Sequence, residues 1–529
     1  MTFIFKRLLI LAALFAFGGF GPSAWPTLWG QDLADPLPAA GGFDSLMSQA
    51  EQFIAAERWS EAVNAVQSAL RLKPDSAEAQ VMLGRAYGNL GRTQEAIIAF
   101  KAAIAAKPYY AEAFGKLGVG YATLEQWQDA IDAFAKALRL DPLYDEARQN
   151  LGLVYVKLGQ WQVAADTFQE FLKRHPEDSQ ALLLLGLAQD NAGQSLEAIK
   201  TYQQVTRLKD GEPQAHYNLG VAYNRLGRPD EAIAAFRAAI QRQPAESRYH
   251  CSLGLALMQA NRLEEALASF KEAVRLKPDY GLAWSNLGAI HLAGDHWQEA
   301  REACQQAVRF DPGMADAHYN LGLALGHLGR YAEAAEAFRA ATRLSPKDPD
   351  GFIDLAVALG ELGQFQQAAD ACQQAISLQP DSARAHVDLG MALGALGRPQ
   401  EAIAAFRKAV ELKPDQAESH FKLGVACGDA ERFEEAIAAF REAARLAPGY
   451  AKTYRNLGMA YARLERFPEA ITALKEAVRL QPDYAEAHFL LGAAHLAAGD
   501  EGSARQEQQL LLRLDAKLAE QLLAAIEKP

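Results

Sequence analysis

The chain has 529 residues, half of them hydrophobic, with 53 lysines and arginines against 65 aspartates and glutamates. This apolar content excludes a disordered chain, and four cysteines are too few for a scaffold built on disulfides. The net charge of −12 argues against nucleic acid as the main partner, because phosphate binding requires a basic surface.

The first twenty residues have the pattern of a secretory signal peptide. Lys6 and Arg7 precede an unbroken apolar run over residues 8–17, and two glycines follow it. A helix that crosses a bilayer needs ~20 apolar residues, and this run is shorter. We therefore predict that residues 1–20 are a cleaved signal peptide, with an uncleaved membrane anchor as the alternative. The protein would then be exported, either periplasmic or attached to the inner membrane.

The next segment, residues 21–42, is predicted to be an extended linker. It holds four prolines and four glycines, a composition that does not build a helical core. If the anchor is retained, this linker would hold the rest of the protein away from the membrane.

A period of 34 residues governs the chain from residue 43 onward. Prolines recur at this spacing between residues 74 and 482, with one doubled gap in which Asp210 occupies the expected position. Leucine recurs from Leu83 to Leu491, and the next residue is glycine in every unit except one. An alanine position and an aromatic position four residues later keep the same step. Self-similarity at a fixed period indicates a stacked repeat architecture.

Each unit is predicted to contain two helices. Apolar residues recur at helical spacing over residues 214–226 and again over 230–243, with a Gly-Arg-Pro turn between them. Pro244 ends the second helix, because proline lacks an N–H group and restricts the residue before it. We expect Gly220 to face Ala232, so that the two helix backbones approach closely.

The repeated residues resemble those of the tetratricopeptide repeat (TPR) family. In one unit the resemblance is carried by His216, Leu219, Gly220, Tyr223, Ala232, Phe236, Ala239 and Pro244. It covers residues 43–518 as fourteen units of 34 residues without an insertion. The resemblance implies an all-α fold, a right-handed superhelical solenoid of 14 tandem helix–turn–helix repeats.

A stack of this kind needs a cap at its open C-terminal end. We predict that residues 503–527 form one capping helix, of which residues 519–529 contain the end. One apolar stripe would cover the last repeat, formed by Leu510, Leu514, Leu518, Leu522 and Ile526.

The sequence contains no recognisable catalytic motif. It has no phosphate-binding loop, no nucleophile elbow and no cysteine pair with metal-ligand spacing. We therefore predict that the protein is not an enzyme and needs no cofactor. The four cysteines are interpreted as small buried hydrophobic residues.

Histidine occupies the same position in six units. A metal or proton-relay function is one interpretation, and packing in an aromatic position is the other. Neighbouring units lie ~10 Å apart, whereas zinc holds histidine nitrogens at ~2.0–2.1 Å, so packing is favoured. The six residues are His216, His250, His318, His386, His420 and His488.

The family resemblance implies that the first helix of each repeat lines a concave groove. The residue before the repeated leucine, here called the ladder position, would then point into the groove. An asparagine amide carries donors and an acceptor and pairs with a peptide backbone of any sequence. This pattern resembles the asparagine ladder of O-GlcNAc transferases, which implies an extended peptide ligand. The alternative is that these amides only satisfy neighbouring backbone groups. They are Asn150, Asn218, Asn286, Asn320 and Asn456.

Acidic residues are concentrated on successive first helices of the middle repeats. Asp350 and Asp354 are four residues apart and share a helix face, and Asp388 follows in the next unit. The acidic stretch predicts a partner segment rich in lysine and arginine. Ordinary solvated helix surface is the alternative.

Three functions remain open at this point. The favoured one is a non-catalytic scaffold in the cell envelope that binds protein or peptide segments in the groove. The second is a substrate-recruiting or regulatory subunit of a separately encoded transferase, such as a glycosyltransferase. The third is a purely structural rod whose units stack end to end.

Overall fold

A computed structural model describes residues 42–208 and 212–527 of the chain. These residues form 29 helices and no strand. The predicted signal peptide or anchor (1–20) and all of the predicted linker except Gly42 lie outside the described residues, as does Asp210. Among the helices that are described, none combines the length and apolar content needed to cross a bilayer.

The chain divides into two compact units, residues 1–278 and residues 279–529. The helices of the first unit are α1 (Phe43–Ala55), α2 (Trp59–Leu72), α3 (Ala77–Asn89), α4 (Thr93–Ala106), α5 (Ala111–Thr123), α6 (Trp127–Leu140), α7 (Asp145–Lys157), α8 (Trp161–Leu172), α9 (Ser179–Asn191), α10 (Ser195–Leu208), α11 (Pro213–Arg225), α12 (Pro229–Arg242), α13 (Ser247–Gln259) and α14 (Leu263–Leu276).

The second unit continues the same alternation. Its helices are α15 (Gly281–Ala293), α16 (Trp297–Phe310), α17 (Ala315–His327), α18 (Tyr331–Leu344), α19 (Pro349–Glu361), α20 (Phe365–Leu378), α21 (Ala383–Ala395), α22 (Pro399–Leu412), α23 (Ala417–Asp429), α24 (Phe433–Leu446), α25 (Ala451–Arg463), α26 (Phe467–Leu480), α27 (Ala485–Ala497), α28 (Glu501–Leu514) and α29 (Ala516–Ile526).

The predicted all-α repeat solenoid with a C-terminal capping helix is confirmed. Odd-numbered helices up to α27 are the first helices of their repeats and even-numbered helices up to α28 are the second helices. From α3 onward every first helix begins 34 residues after the preceding one. The sequence period therefore sets the helix boundaries, because each helix ends at a residue that the repeat keeps in place.

The close contact inside a repeat joins a glycine to an aromatic ring, and not to the alanine that we expected. A Cβ atom on Gly220 would lie 2.6 Å from Cε1 of Phe236, whose ring is buried. The same arrangement joins Gly152 to Phe168. In the one repeat with alanine at this position, Ala356, the aromatic position holds Cys372. A thiol is smaller than a phenyl ring and leaves room for the extra methyl group.

The C-terminal cap differs from the single helix predicted over residues 503–527. Helix α28 ends at Leu514, and Asp515 is extended, with a φ of −156°. The Asp515 carboxylate accepts hydrogen bonds from the backbone N–H groups of Lys517 and Leu518 and so begins α29.

This break divides the predicted apolar stripe. Leu522 and Ile526 are buried against the last repeat, as expected. Leu510 and Leu514 are exposed, and Leu511 is buried in their place. The prediction for these two leucines is wrong because the stripe was projected along a helix that continues through residue 515.

Candidate functional site

The first helices lie on the inner side of the stack within each unit. Several neighbouring first helices contact each other directly, such as α3 with α5 in the first unit and α17 with α19 in the second. Among the described residues, no neighbouring second helices contact each other to the same extent. A stack bends toward the side on which its elements are closer, so the first helices form the inner face.

The structure places the five ladder asparagines at different depths. Asn286 has no exposed surface, and the exposed fractions of Asn320 and Asn456 are 8% and 7%. Asn150 and Asn218 are half-buried. The Oδ1 atom of Asn218 accepts a hydrogen bond of 2.7 Å from Nε2 of Gln214 on the same helix. The ladder is therefore most accessible in the first unit.

Buried acceptor atoms without a hydrogen bond mark the inner face. Four side-chain oxygens are fully buried and receive no hydrogen bond from any described residue, and all four belong to first helices. Leaving such a group unpaired costs about 1–3 kcal/mol, and native proteins contain few of them. The four atoms are Oδ1 of Asn89, Asn224 and Asn456 and Oδ2 of Asp388.

Asp354 and Asp388 come together around a cation that the sequence analysis did not single out. Oδ1 of Asp354 lies 2.5 Å from a guanidinium nitrogen of Arg384, and its Oδ2 accepts a 2.7 Å hydrogen bond from the Tyr319 hydroxyl. The Nε atom of Arg384 lies 3.8 Å from Oδ2 of Asp388. The charge of Asp354 is thus neutralised within the chain, and Asp350 lies outside this cluster.

Burial raises the pKa of Asp388 from its ordinary value of 3.8 to about 6. Asp354 and Glu418 add to this increase by repulsion, whereas Arg384 and Lys422 oppose it. The folded state therefore binds the Asp388 proton more tightly than the unfolded chain does. Its stabilising effect is present in full below about pH 4 and is lost as the pH rises through about 6.

Replacing Asp388 with asparagine is expected to stabilise the second unit at about pH 7.5, by about 1–3 kcal/mol, because it removes a poorly solvated charge. Denaturant unfolding at several pH values measures this effect. The variant should also lose part of the decline in stability between about pH 4 and pH 6. The exposed turn variant Asp381→Asn is the control. An Asp388→Asn variant that is less stable than wild type at pH 7.5 would contradict this assignment.

The repeated histidines hold the turns between repeats. In five of them Nε2 lies 2.9–3.1 Å from the carbonyl oxygen of the proline six residues earlier, to which it donates. This role differs from both interpretations drawn from the sequence. No group of three or more metal-ligating side chains occurs among the described residues. The five are His250, His318, His386, His420 and His488.

The four cysteines are free and buried, as predicted. Burial raises the pKa of Cys304 and of Cys372 to about 12. These thiols therefore remain protonated at neutral pH, and a protonated thiol is a poor nucleophile.

Sequence models of known families match most of the repeat region. A model described as Tetratricopeptide repeat matches residues 48–111, 150–213, 188–247, 251–315, 353–417 and 387–451, which together are more than half of the chain. The chain belongs to the tetratricopeptide repeat family. Further TPR models match residues 111–144, 287–353 and 460–499.

Solved TPR-like structures resemble the chain at low identity. The APC/C hetero-tetramer Cut9–Hcn1 is 16% identical, with a TM-score of 0.36 over 85% of this chain and 96% of that chain. YrrB, described as a TPR protein with an unusual peptide-binding site, is 22% identical, with a TM-score of 0.34 over 35% of this chain and 96% of its own. Yeast Tom70 is 17% identical, with a TM-score of 0.32 over 80% of this chain and 96% of its own. No curated protein matches the chain.

Arg384 is the residue of this TPR surface that sequence reasoning missed. It stands at the second position of its repeat, four residues before Asp388, so a helix-face comparison would have paired these two charges. Its stronger contact, with Asp354 in the preceding repeat, depends on how the repeats stack. A charge count along single helices therefore overstates how acidic this surface is.

Proposed function

We propose that this TPR protein is a non-catalytic scaffold that binds extended segments of partner proteins along its first helices. TPR repeats are typically non-catalytic interaction modules, and a curved repeat stack offers an extended binding surface. The observation that carries the proposal is the set of four unpaired buried oxygens, all on first helices.

The chemistry of these oxygens suits a peptide backbone. Asn456 and Asp388 both occupy the ladder position, two repeats apart, and each presents an acceptor that the described chain does not satisfy. An extended peptide carries backbone N–H donors along its length whatever its sequence. Donation from such a segment would recover the free energy that each unpaired acceptor costs.

A peptide selection tests this proposal directly. Random dodecapeptides are displayed and selected on the full chain, and the retention of enriched peptides is compared with that of the Asn456→Ala variant. We expect retention to fall about fivefold, the loss of one hydrogen bond worth about 1 kcal/mol. The matched control is Asn64→Ala, an exposed amide on the second helix α2. The proposal fails if wild type enriches no peptide, or if Asn456→Ala retains as much as the control.

For location we propose export, with the protein either periplasmic or attached to the inner membrane. The basic and apolar pattern of residues 1–20 supports this. Mass spectrometry of the native N-terminus tests it: a start beyond residue 15 indicates cleavage, an intact start in the membrane fraction indicates an anchor, and an intact start in the soluble fraction excludes both.

The transferase-subunit alternative is tested by crosslinking in the native cell. Recovery of a separately encoded transferase at first-helix positions would favour that alternative. Recovery of non-enzymatic envelope proteins at the same positions would favour the scaffold.

A further inference from the structure

A cleft of about 500 Å³ opens between helices α21, α22 and α23 of the second unit. Met391, Phe421 and Val425 give it apolar walls, and Met391 is 42% exposed. Gly394 lies in its lining, and a Cβ atom built there would meet no other atom within 4 Å. The missing side chain of Gly394 thus contributes open space on the inner, first-helix side.

Glycine at this position is a local property of four consecutive repeats. The equivalent position holds larger residues in the preceding five repeats, from Val156 to Leu292. The four glycines are Gly326, Gly360, Gly394 and Gly428.

Neither packing nor backbone geometry accounts for these glycines. None of the four has a positive φ, and a Cβ atom at any of them would meet nothing within 4 Å. Glycine inside a helix is destabilising relative to alanine, and one use of glycine is to let another backbone approach closely. The glycines are therefore explained by a second chain that lies against this face.

The charges at the cleft identify the kind of chain. Lys422 and Asp429 both line it, and Lys422 lies 3.5 Å from Glu418 on its own helix. Asp429 is exposed, and no ion pair joins it to any described residue. Glu361, at the equivalent position two repeats earlier, is also exposed and makes no ion pair within the described chain. The unpaired charge on this face is negative, which favours a basic partner.

We propose that this cleft binds one leucine- or methionine-sized side chain of an extended partner segment, with a lysine or arginine of the same segment paired to Asp429. The glycine face admits the backbone of that segment, and the apolar walls remove its anchor side chain from water. The cleft volume lies within the range typical of ligand sites. This inference rests on the proposed function and names the segment chemistry that one part of the inner face selects.

Filling the cleft tests the inference. Gly394→Leu places a side chain in the open space without a clash, and Gly326→Leu makes the same change at the same helix position outside the cleft. Random dodecapeptides are selected on the full chain and on each variant. On wild type and Gly326→Leu we expect enriched peptides to carry leucine or methionine within a few residues of lysine or arginine. We expect Gly394→Leu to retain these peptides about tenfold less well, and Asp429→Asn about threefold less well.

Each outcome separates the two proposals. Equal retention by Gly394→Leu and Gly326→Leu, or enriched peptides without a basic residue, overturns the cleft inference and leaves the scaffold intact. Failure of wild type to enrich any peptide overturns both. Circular dichroism verifies that the variants are folded. Should the leucine variant unfold, Gly394→Ala, which adds one methyl group, replaces it, with a loss of about threefold expected and no loss contradicting the inference.

Discussion

Replacing Gly220 with leucine lowers the free energy of unfolding of its repeat by about 3 kcal/mol. The Cβ atom alone would lie 2.6 Å from Cε1 of Phe236, and the ring is 1% exposed and has no space into which to move. Hydrogen exchange of the α11 and α12 amides measures the effect, because repeat proteins open locally.

The chain supplies a natural control for this prediction. Ala356 faces a position that holds Cys372 where other repeats have a ring, so a methyl group is tolerated beside a thiol. Gly220→Ala should therefore cost more in the wild-type background than in a Phe236→Cys background, with a coupling energy of about 1 kcal/mol or more. Strictly additive effects would show that the glycine and the ring do not determine each other.

Replacing Arg225 with alanine destabilises the neighbouring repeats by about 3 kcal/mol. Its guanidinium lies 2.7 Å from Oδ2 of Asp190, whose side chain is only 5% exposed. The same guanidinium also donates to the Asp190 carbonyl oxygen. Without Arg225, the buried carboxylate keeps only the 2.7 Å hydrogen bond from the Ser195 hydroxyl. Removing one member of a buried pair is costly because it leaves an uncompensated charge.

Two variants test the cause of this loss. Removing both charges, as Asp190→Ala with Arg225→Ala, should recover most of the lost stability, since no unpaired charge remains. Arg228→Ala breaks an ion pair with Glu231 in which both side chains are 44% exposed, and it should have a much smaller effect. Denaturant unfolding of the full chain compares the three variants. Equal losses for Arg225→Ala and Arg228→Ala would contradict the importance of burial.

The sequence predicted the helices well because each repeat carries its own boundary residues. A proline or turn residue ends each helix, and the period of 34 repeats these residues along the chain. The break at Asp515 was missed although aspartate is a favoured N-cap residue. The apolar spacing continued through it and favoured one long helix.

The candidate site was predicted only in part, because its details depend on stacking between repeats. The ladder position was recognised from sequence, but the full burial of Asn286 was not. The contacts of Asp354 come from Tyr319 in the preceding repeat and Arg384 in the following one. Residues 35 and 30 positions away in the chain meet only through the geometry of the stack.

Site-specific photocrosslinking in the native cell tests most directly whether partner segments bind the first helices. A photoreactive residue replaces Met391, which is exposed on the first helix α21, or Ala404, which is exposed on the second helix α22 of the same repeat. The account predicts partner adducts at residue 391 and none at residue 404. Adducts at residue 404 with none at residue 391 would contradict it.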